Sequence, residues 1–365
     1  MGYTPLIVVL AIIAIFISII IVIWNVPKGN NSNPNLVGGI HLIKPKTLEN
    51  ASSKLKVDND LIQYALEKIN EDRTRFNLPP VVISHNQAAQ AQALDLLKTK
   101  NLHASHWATN GMKPYMEYSM YGGTGYVEQN VAVRGYDNVT IDKCNQGAVR
   151  CTKINQYRTI DNEQRNMIYN DSKCCQNGHR DNILDNHHTH VSIGIASDSY
   201  YVAYVQNFEN NYIHFNEPFI DDKDERRVQI SGQLLSPVIN DISLYGLDIY
   251  YDETPSYIQY EKHKDDKSYE FGKLIGFVFS PMDFNEWFEY LRSKIYSAMG
   301  ISLSYYSPLP ADKWYIDNKS VDIKFDISPV LKKEGVYTVV LYLQDREKNL
   351  FPAMSYSIFV NRVYY

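Results

Sequence analysis

Gly178-His179-Arg180-Asp181-Asn182-Ile183-Leu184, followed eight residues later by Ile193-Gly194-Ile195, is the stretch on which the fold turns. Arg180 and Asn182 are placed to hydrogen-bond loop backbone, a structural role. The run His187-His188-Thr189-His190 falls between Ile183-Leu184 and the next strand, so it reads as a solvated loop. A strand over Tyr201–Phe208 closes the unit, and a helix from about Ile160 to Asp171 precedes it. Further upstream, Leu61, Ala65 and Ile69, with Ile62 and Leu66, form a helical stripe that stops at Leu78-Pro79-Pro80. Ser84 is placed to cap a second helix, whose Ala88, Ala91, Leu94 and Leu97 make a narrow face of small residues for close packing. Residues 58–218 therefore alternate helices with strands.

Downstream the period changes. Asp221–Arg227 is a mixed-charge run that reads as a boundary, giving a linker over 219–227. From 228 to 365 the alternation is two: Val321, Ile323, Phe325 and Ile327, then Met354, Tyr356, Ile358 and Val360. Gly335–Leu341 reads as a central strand of an immunoglobulin-like β-sandwich. Phe284, Trp287, Phe288, Leu291 and Ile295 mark one interrupting helix, with Asp283 as its cap and Gly300 as its stop.

At the other end, the 20 residues Pro5–Trp24 are apolar and uncharged, enough to cross about 30 Å of hydrocarbon as a helix. A cleaved signal peptide usually has a shorter apolar core preceded by positive charge, and no Lys or Arg precedes this one. Residues 1–26 are read as a transmembrane anchor and 27–57, rich in Asn, Pro, Lys and Ser, as a tether. The 365-residue chain has 44% hydrophobic and 21% charged residues, which excludes a disordered chain and a multi-span membrane protein. A net charge of -5 and a pI of about 6.1 argue against a dedicated nucleic-acid binder. The 29 tyrosines suit half-buried strands.

The four cysteines, Cys144, Cys151, Cys174 and Cys175, are even in number and clustered, which reads as two local disulfides of open pairing. A zinc site is the rival, but CxxC knuckles are missing and neighbouring Cys174 and Cys175 are expected to project apart. Disulfides place the bulk of the chain outside the cell. So do the acceptor triplets at Asn30, Asn50, Asn138, Asn170 and Asn318, candidates for glycosylation.

Three segments within residues 58–218 resemble the CAP family, the cysteine-rich secretory, antigen 5 and pathogenesis-related-1 proteins, also called SCP-like. They are Ile69-Asn70 with Arg73 and Leu78-Pro79-Pro80-Val81; His106-Trp107-Ala108-Thr109-Asn110-Gly111 with Asn130-Val131-Ala132; and the Gly178–Leu184 run with Ile193-Gly194-Ile195. The resemblance implies an α+β fold, an α-β-α sandwich ahead of the C-terminal β-sandwich. It also implies a cleft of two histidines, His106 and His179, and two carboxylates, able to hold Zn²⁺ or another divalent cation.

The chain departs from that pattern at its carboxylates. An ungapped match puts Gln129, not Glu128, at the first position. Either a bulge returns Glu128 to the site or the site carries an amide, because one residue of slip on a strand reverses the side chain. Glu163, 16 residues before His179 and in line with Ile160 and Met167, is the candidate for the second. No Gly-x-Ser-x-Gly elbow, Walker loop or HExxH occurs. The expectation is a membrane-anchored extracellular protein whose cleft binds a lipid, a cell-surface protein or a divalent ion. The alternatives are a metal-assisted hydrolase of peptide or cell-envelope material, with Glu163 or Glu128 as base, and a structural envelope component.

Overall fold

A computed structural model describes residues 39–43, 58–216, 219–221, 224–235, 246–281, 307–317, 319–344 and 349–363. The anchor at 1–26, the helix over Phe284–Ile295, and Asn30, Asn50 and Asn318 lie outside the described residues. Among the described residues no helix is long and apolar enough to cross a membrane.

A first strand, β1 (Gly39–Ile43), falls within the stretch read as a tether. The α/β half then runs α1 (Asn59–Arg75), β2 (Val82–Ile83), α2 (Ala88–Thr99), α3 (Pro114–Met120), β3 (Tyr126–Gly135), α4 (Asn138–Asn145), α5 (Gln156–Tyr169), a 3₁₀ turn (Asp171–Lys173), α6 (Gly178–Ile183), β4 (His190–Ser197) and β5 (Tyr201–Asn210). Its sheet is ordered β2-β4-β5-β3, with β2 parallel to β4 and both other pairings antiparallel. Period two splits β5 between two cores. Tyr204 and Phe208 pack with Leu61, Ile69, Ile160 and Met167 of α1 and α5. Tyr201, Ala203 and Val205 pack with Ala89, Ala93 and Leu96 of α2. A four-stranded sheet between two helical layers is the α-β-α sandwich that the family resemblance implied.

Local chemistry explains the helix ends. Asp58 caps α1 by accepting from Leu61 N at 3.2 Å. At α2 the first-turn acceptor is Asn86, whose Oδ1 takes Ala88 N at 2.9 Å, and Ser84 instead supports Asn86 N. The buried face of α2 is also rotated from the expected one, because Gln90 and Gln92 are buried beside Ala89 and Ala93. Gln90 exchanges two hydrogen bonds with the Ile195 backbone (3.0 and 3.1 Å), and Gln92 donates to Ser105 O at 2.7 Å. Gly194 lets α2 approach, since a Cβ there would lie 2.0 Å from Ala89 O.

The second half contains β6 (Ile213–Phe215), β7 (Ile220–Asp221), β8 (Asp224–Leu234), β9 (Leu247–Asp252), α7 (Tyr257–His263), β10 (Lys273–Phe279), β11 (Ser307–Pro310), β12 (Lys313–Ile316), β13 (Ser320–Asp326), β14 (Gly335–Gln344) and β15 (Leu350–Val363). Strands β7 and β8 reach into the charge run read as a boundary, where Arg227 pairs with Asp326 in the ladder to β13. Two sheets, β1-β15-β14-β9-β10-β11 and β12-β13-β8-β6, share one core. Val321, Ile323, Phe325 and Ile327 are buried in it as their alternation required, as are Met354, Tyr356, Ile358 and Val360.

Residues Ile40–Arg362 form one compact unit. The outer face of the six-stranded sheet, through Val336 and Phe359, packs on Ala88, Tyr115, Met116, Tyr118 and Val127 of the α/β half. Ser357 N donates to Ser119 Oγ at 3.0 Å across the same junction.

Candidate functional site

Three elements bring the site together. The turn before α3 carries His106, held where Ser105 Oγ accepts from Trp107 N at 3.1 Å. Strand β3 carries Glu128, Gln129 and Asn130. Helix α6 carries His179 and Asn182. Buried Arg73 fixes the end of α6, donating to Ile183 O at 2.7 Å and Asp185 O at 2.9 Å, which is the work of the Arg73 in the sequence pattern. His106 and His179 line one pocket of about 250 Å³.

His106 is buried, with Nδ1 3.1 Å from Gln129 Oε1. Burial pushes its pKa down to about 4, and the charges of His179 and Lys267 oppose protonation further, so its imidazole is neutral at pH 7. The ladder of β3 on β5 is regular, with Glu128 opposite Phe208 and Gln129 opposite Asn207. The bulge that would have returned Glu128 to the position beside His106 is not there, and the site carries the amide. Glu128 also borders the pocket, but its Oε1 accepts from Tyr126 OH at 2.7 Å and its Oε2 lies 3.9 Å from His188 Nε2.

Glu163 is a correction. It is buried, yet its Oε1 accepts from Arg134 Nε at 2.9 Å and from Arg134 Nη2, and it does not line the pocket. The acid on the second histidine is Asp171. Its Oδ1 lies 2.7 Å from His179 Nδ1, and its Oδ2 accepts from His179 N (2.8 Å) and Arg180 N (3.2 Å). Asp171 sits eight residues before His179, past the helical stripe that pointed to Glu163.

The histidine run after α6 is also corrected. His188 is buried, with Nε2 2.9 Å from Asn182 Oδ1 and Nδ1 2.7 Å from Asn210 Oδ1, and burial holds its pKa below the usual range. Asn182 Nδ2 in turn donates to Asn130 Oδ1 at 2.9 Å. His188 thus supports Asn182 at the pocket, while His187 and His190 stay partly exposed.

The second half supplies a wall that no sequence pattern announced. The β9–β10 connection lays Lys267, Ser268 and Tyr269 along the pocket. Tyr269 OH accepts from Gln129 N at 2.9 Å, and its ring centroid lies 5.1 Å from that of His106. The connection is pinned at Asp252, which accepts from Lys113 Nζ and Tyr115 OH at 2.7 Å each. Trp107 stacks on His263 at 4.6 Å, and Gly111 lets the chain pass, since a Cβ there would meet Ser256 O at 2.2 Å.

The cysteines pair as Cys144–Cys151 and Cys174–Cys175, so the sulfurs of the adjacent pair are joined instead of projecting apart. Cys175 lines the pocket beside His179.

Among solved structures, the chain is similar to an extracellular protein containing a SCP domain from Bacillus anthracis str. Ames, at 20% identity and a TM-score of 0.27, with 42% of this chain and 41% of that one covered. It is also similar to the CAP domain of Enterococcal PrgA, at 14% identity and a TM-score of 0.28, with 44% and 62% covered. The match therefore spans less than two thirds of either neighbour. Both are SCP/CAP proteins, in line with the sequence resemblance, but at such TM-scores the likeness carries no argument about the site. No protein-family model and no curated protein matches the sequence.

Proposed function

We propose that the chain is an extracellular CAP-like binding protein, tethered to a membrane by the Pro5–Trp24 segment, whose pocket takes a small polar ligand through an anionic group and releases it unchanged. The observation that carries this reading is the setting of His106: its ring is paired with an amide, Gln129, and Lys267 lines the same pocket, its charge opposing protonation of that ring. Amides and neutral imidazoles offer hydrogen bonds, and a lysine offers charge to a carboxylate or phosphate. A volume of about 250 Å³ with this polar lining suits a small headgroup and not an acyl chain.

A divalent ion held jointly by His106 and His179 fits these residues poorly. An amide occupies the carboxylate position, and Lys267 contributes positive charge to the same space. Hydrolysis would need a base near a polarised carbonyl or a metal-activated water. Neither carboxylate expected as base is free for that role: Glu163 is committed to Arg134 and Glu128 to Tyr126. The anchor and the outward orientation rest on the apolar segment and the two disulfides.

Acetate is a sufficient probe of the anion reading. In the full chain with labelled histidines, the ring resonances of His106 and His179 are expected to move on acetate titration. Lys267→Met is expected to weaken that response at least fivefold. Equal responses in the wild-type chain and Lys267→Met, or none in either, would contradict the proposal.

A further inference from the structure

At the edge of the pocket, on geometry that does not rest on the ligand reading, four side chains converge. One ligand atom each of Asp171, Cys174, Cys175 and His179 lies within 4.8 Å of all the others. Cys174 Sγ is 3.6 Å from Asp171 Oδ1, and Asp171 is buried. Cys175 and His179 face the pocket, which gives the cluster a route to solvent. Two sulfurs and an imidazole, with a carboxylate behind the ring, form a donor set that selects soft or borderline divalent ions, above all Zn²⁺ and Cd²⁺. A tetrahedral site with Zn–S near 2.3 Å separates two sulfurs by about 3.7 Å. The sulfurs are bonded to each other here, so the same cluster has a second state without thiolates.

We infer that the Cys174–Cys175 disulfide masks a thiolate metal site. Reduction exposes two thiols that, with the His179 imidazole, bind a soft divalent cation. A dithiol reductant cleaves the S–S bond, supplies two electrons and two protons, and ends as its own disulfide. The products are the Cys174 and Cys175 thiols. Metal binding then displaces both thiol protons to solvent. Asp171 stays on the ring, as carboxylates do behind metal-bound histidines, and fixes its orientation through the 2.7 Å contact at Nδ1. His179 belongs to both sites, so loading the metal withdraws one imidazole from the pocket. The redox state of two adjacent cysteines thereby governs what the pocket presents.

The test uses Cd²⁺, whose thiolate complexes absorb in the ultraviolet, on the full chain carrying Cys144→Ser and Cys151→Ser, so that only one disulfide remains. A phosphine is the reductant, taking its oxygen from water as the two thiols form. The reduced chain is expected to titrate two free thiols, bind one equivalent of Cd²⁺ and develop the charge-transfer absorption, while the oxidised chain develops none. Cys175→Ser is expected to remove the absorption, and His179→Ala to weaken binding at least tenfold, with His179→Gln read in its place if the alanine variant does not fold. His106→Ala is expected to leave the Cd²⁺ affinity within twofold, which separates this site from the ligand pocket. Two titratable thiols without Cd²⁺ absorption, or unchanged affinity in both His179 variants, would overturn the inference.

Discussion

His106 and Gln129 show how one residue type decides what a pocket does. A carboxylate in place of Gln129 would share a proton or a metal with the imidazole, whereas the amide only hydrogen-bonds it. The buried ring is neutral, and its protonation is opposed by burial first and by neighbouring cations second. This makes a statement about stability. The unfolded chain protonates this histidine near pH 6.5 and the folded chain only near pH 4, so the contribution is complete above 6.5 and is lost as pH falls through that window. Between those limits His106 is expected to cost the folded state about 3 kcal/mol at 1.36 kcal/mol per pH unit. His188, whose pKa is also lowered by burial, adds in the same direction. Urea unfolding at several pH values measures this, and His106→Gln should flatten the slope between pH 6.5 and 4. An unchanged slope in His106→Gln would mean that the ring is solvated.

The elements were legible where periodicity and burial coincide. The stripe Leu61, Ala65, Ile69 is the buried face of α1, and Val321, Ile323 and Phe325 are the buried face of β13. They were illegible where polar groups are buried with their partners, because a pattern reading places polar residues outside. Gln90 and Gln92 rotate the buried face of α2, Asn86 displaces Ser84 at its start, and His188 is interior despite lying in a histidine-rich run. Asp171 was hidden for another reason: its task is set by the turn that folds it back onto α6, and no helical period connects it to His179. The packing of α2 on the sheet gives the prediction at this scale. Gly194→Ala forces a Cβ against the Ala89 backbone and is expected to destabilise by about 3 kcal/mol, as overpacking of a tight interior does. Gly178→Ala, with nothing within 4 Å of its Cβ position, is expected to stay within about 0.5 kcal/mol. Denaturant midpoints compare the two directly; equal costs would remove the close-approach argument.

At the scale of the whole molecule, the change of period read near residue 220 conceals that the residues on its two sides form one compact unit, with β6 already in the sheet of β8. Val336 and Phe359 extend the core of the α/β half, and the β9–β10 connection, held by Lys113 and Tyr115 at Asp252, lays Lys267 and Tyr269 against the histidines. Contacts between residues more than 130 positions apart leave no trace in local pattern, so the resemblance located His106 and His179 and could not locate the wall opposite them. The convergence of both halves on His106 is the claim on which the binding reading stands. Its most direct measurement is the NMR titration of the His106 ring in the full chain and in Lys267→Met. A midpoint of about 4 that rises when the lysine charge is removed is the expected result. A midpoint near 6.5, indifferent to Lys267, would contradict the assembly of the pocket from both halves.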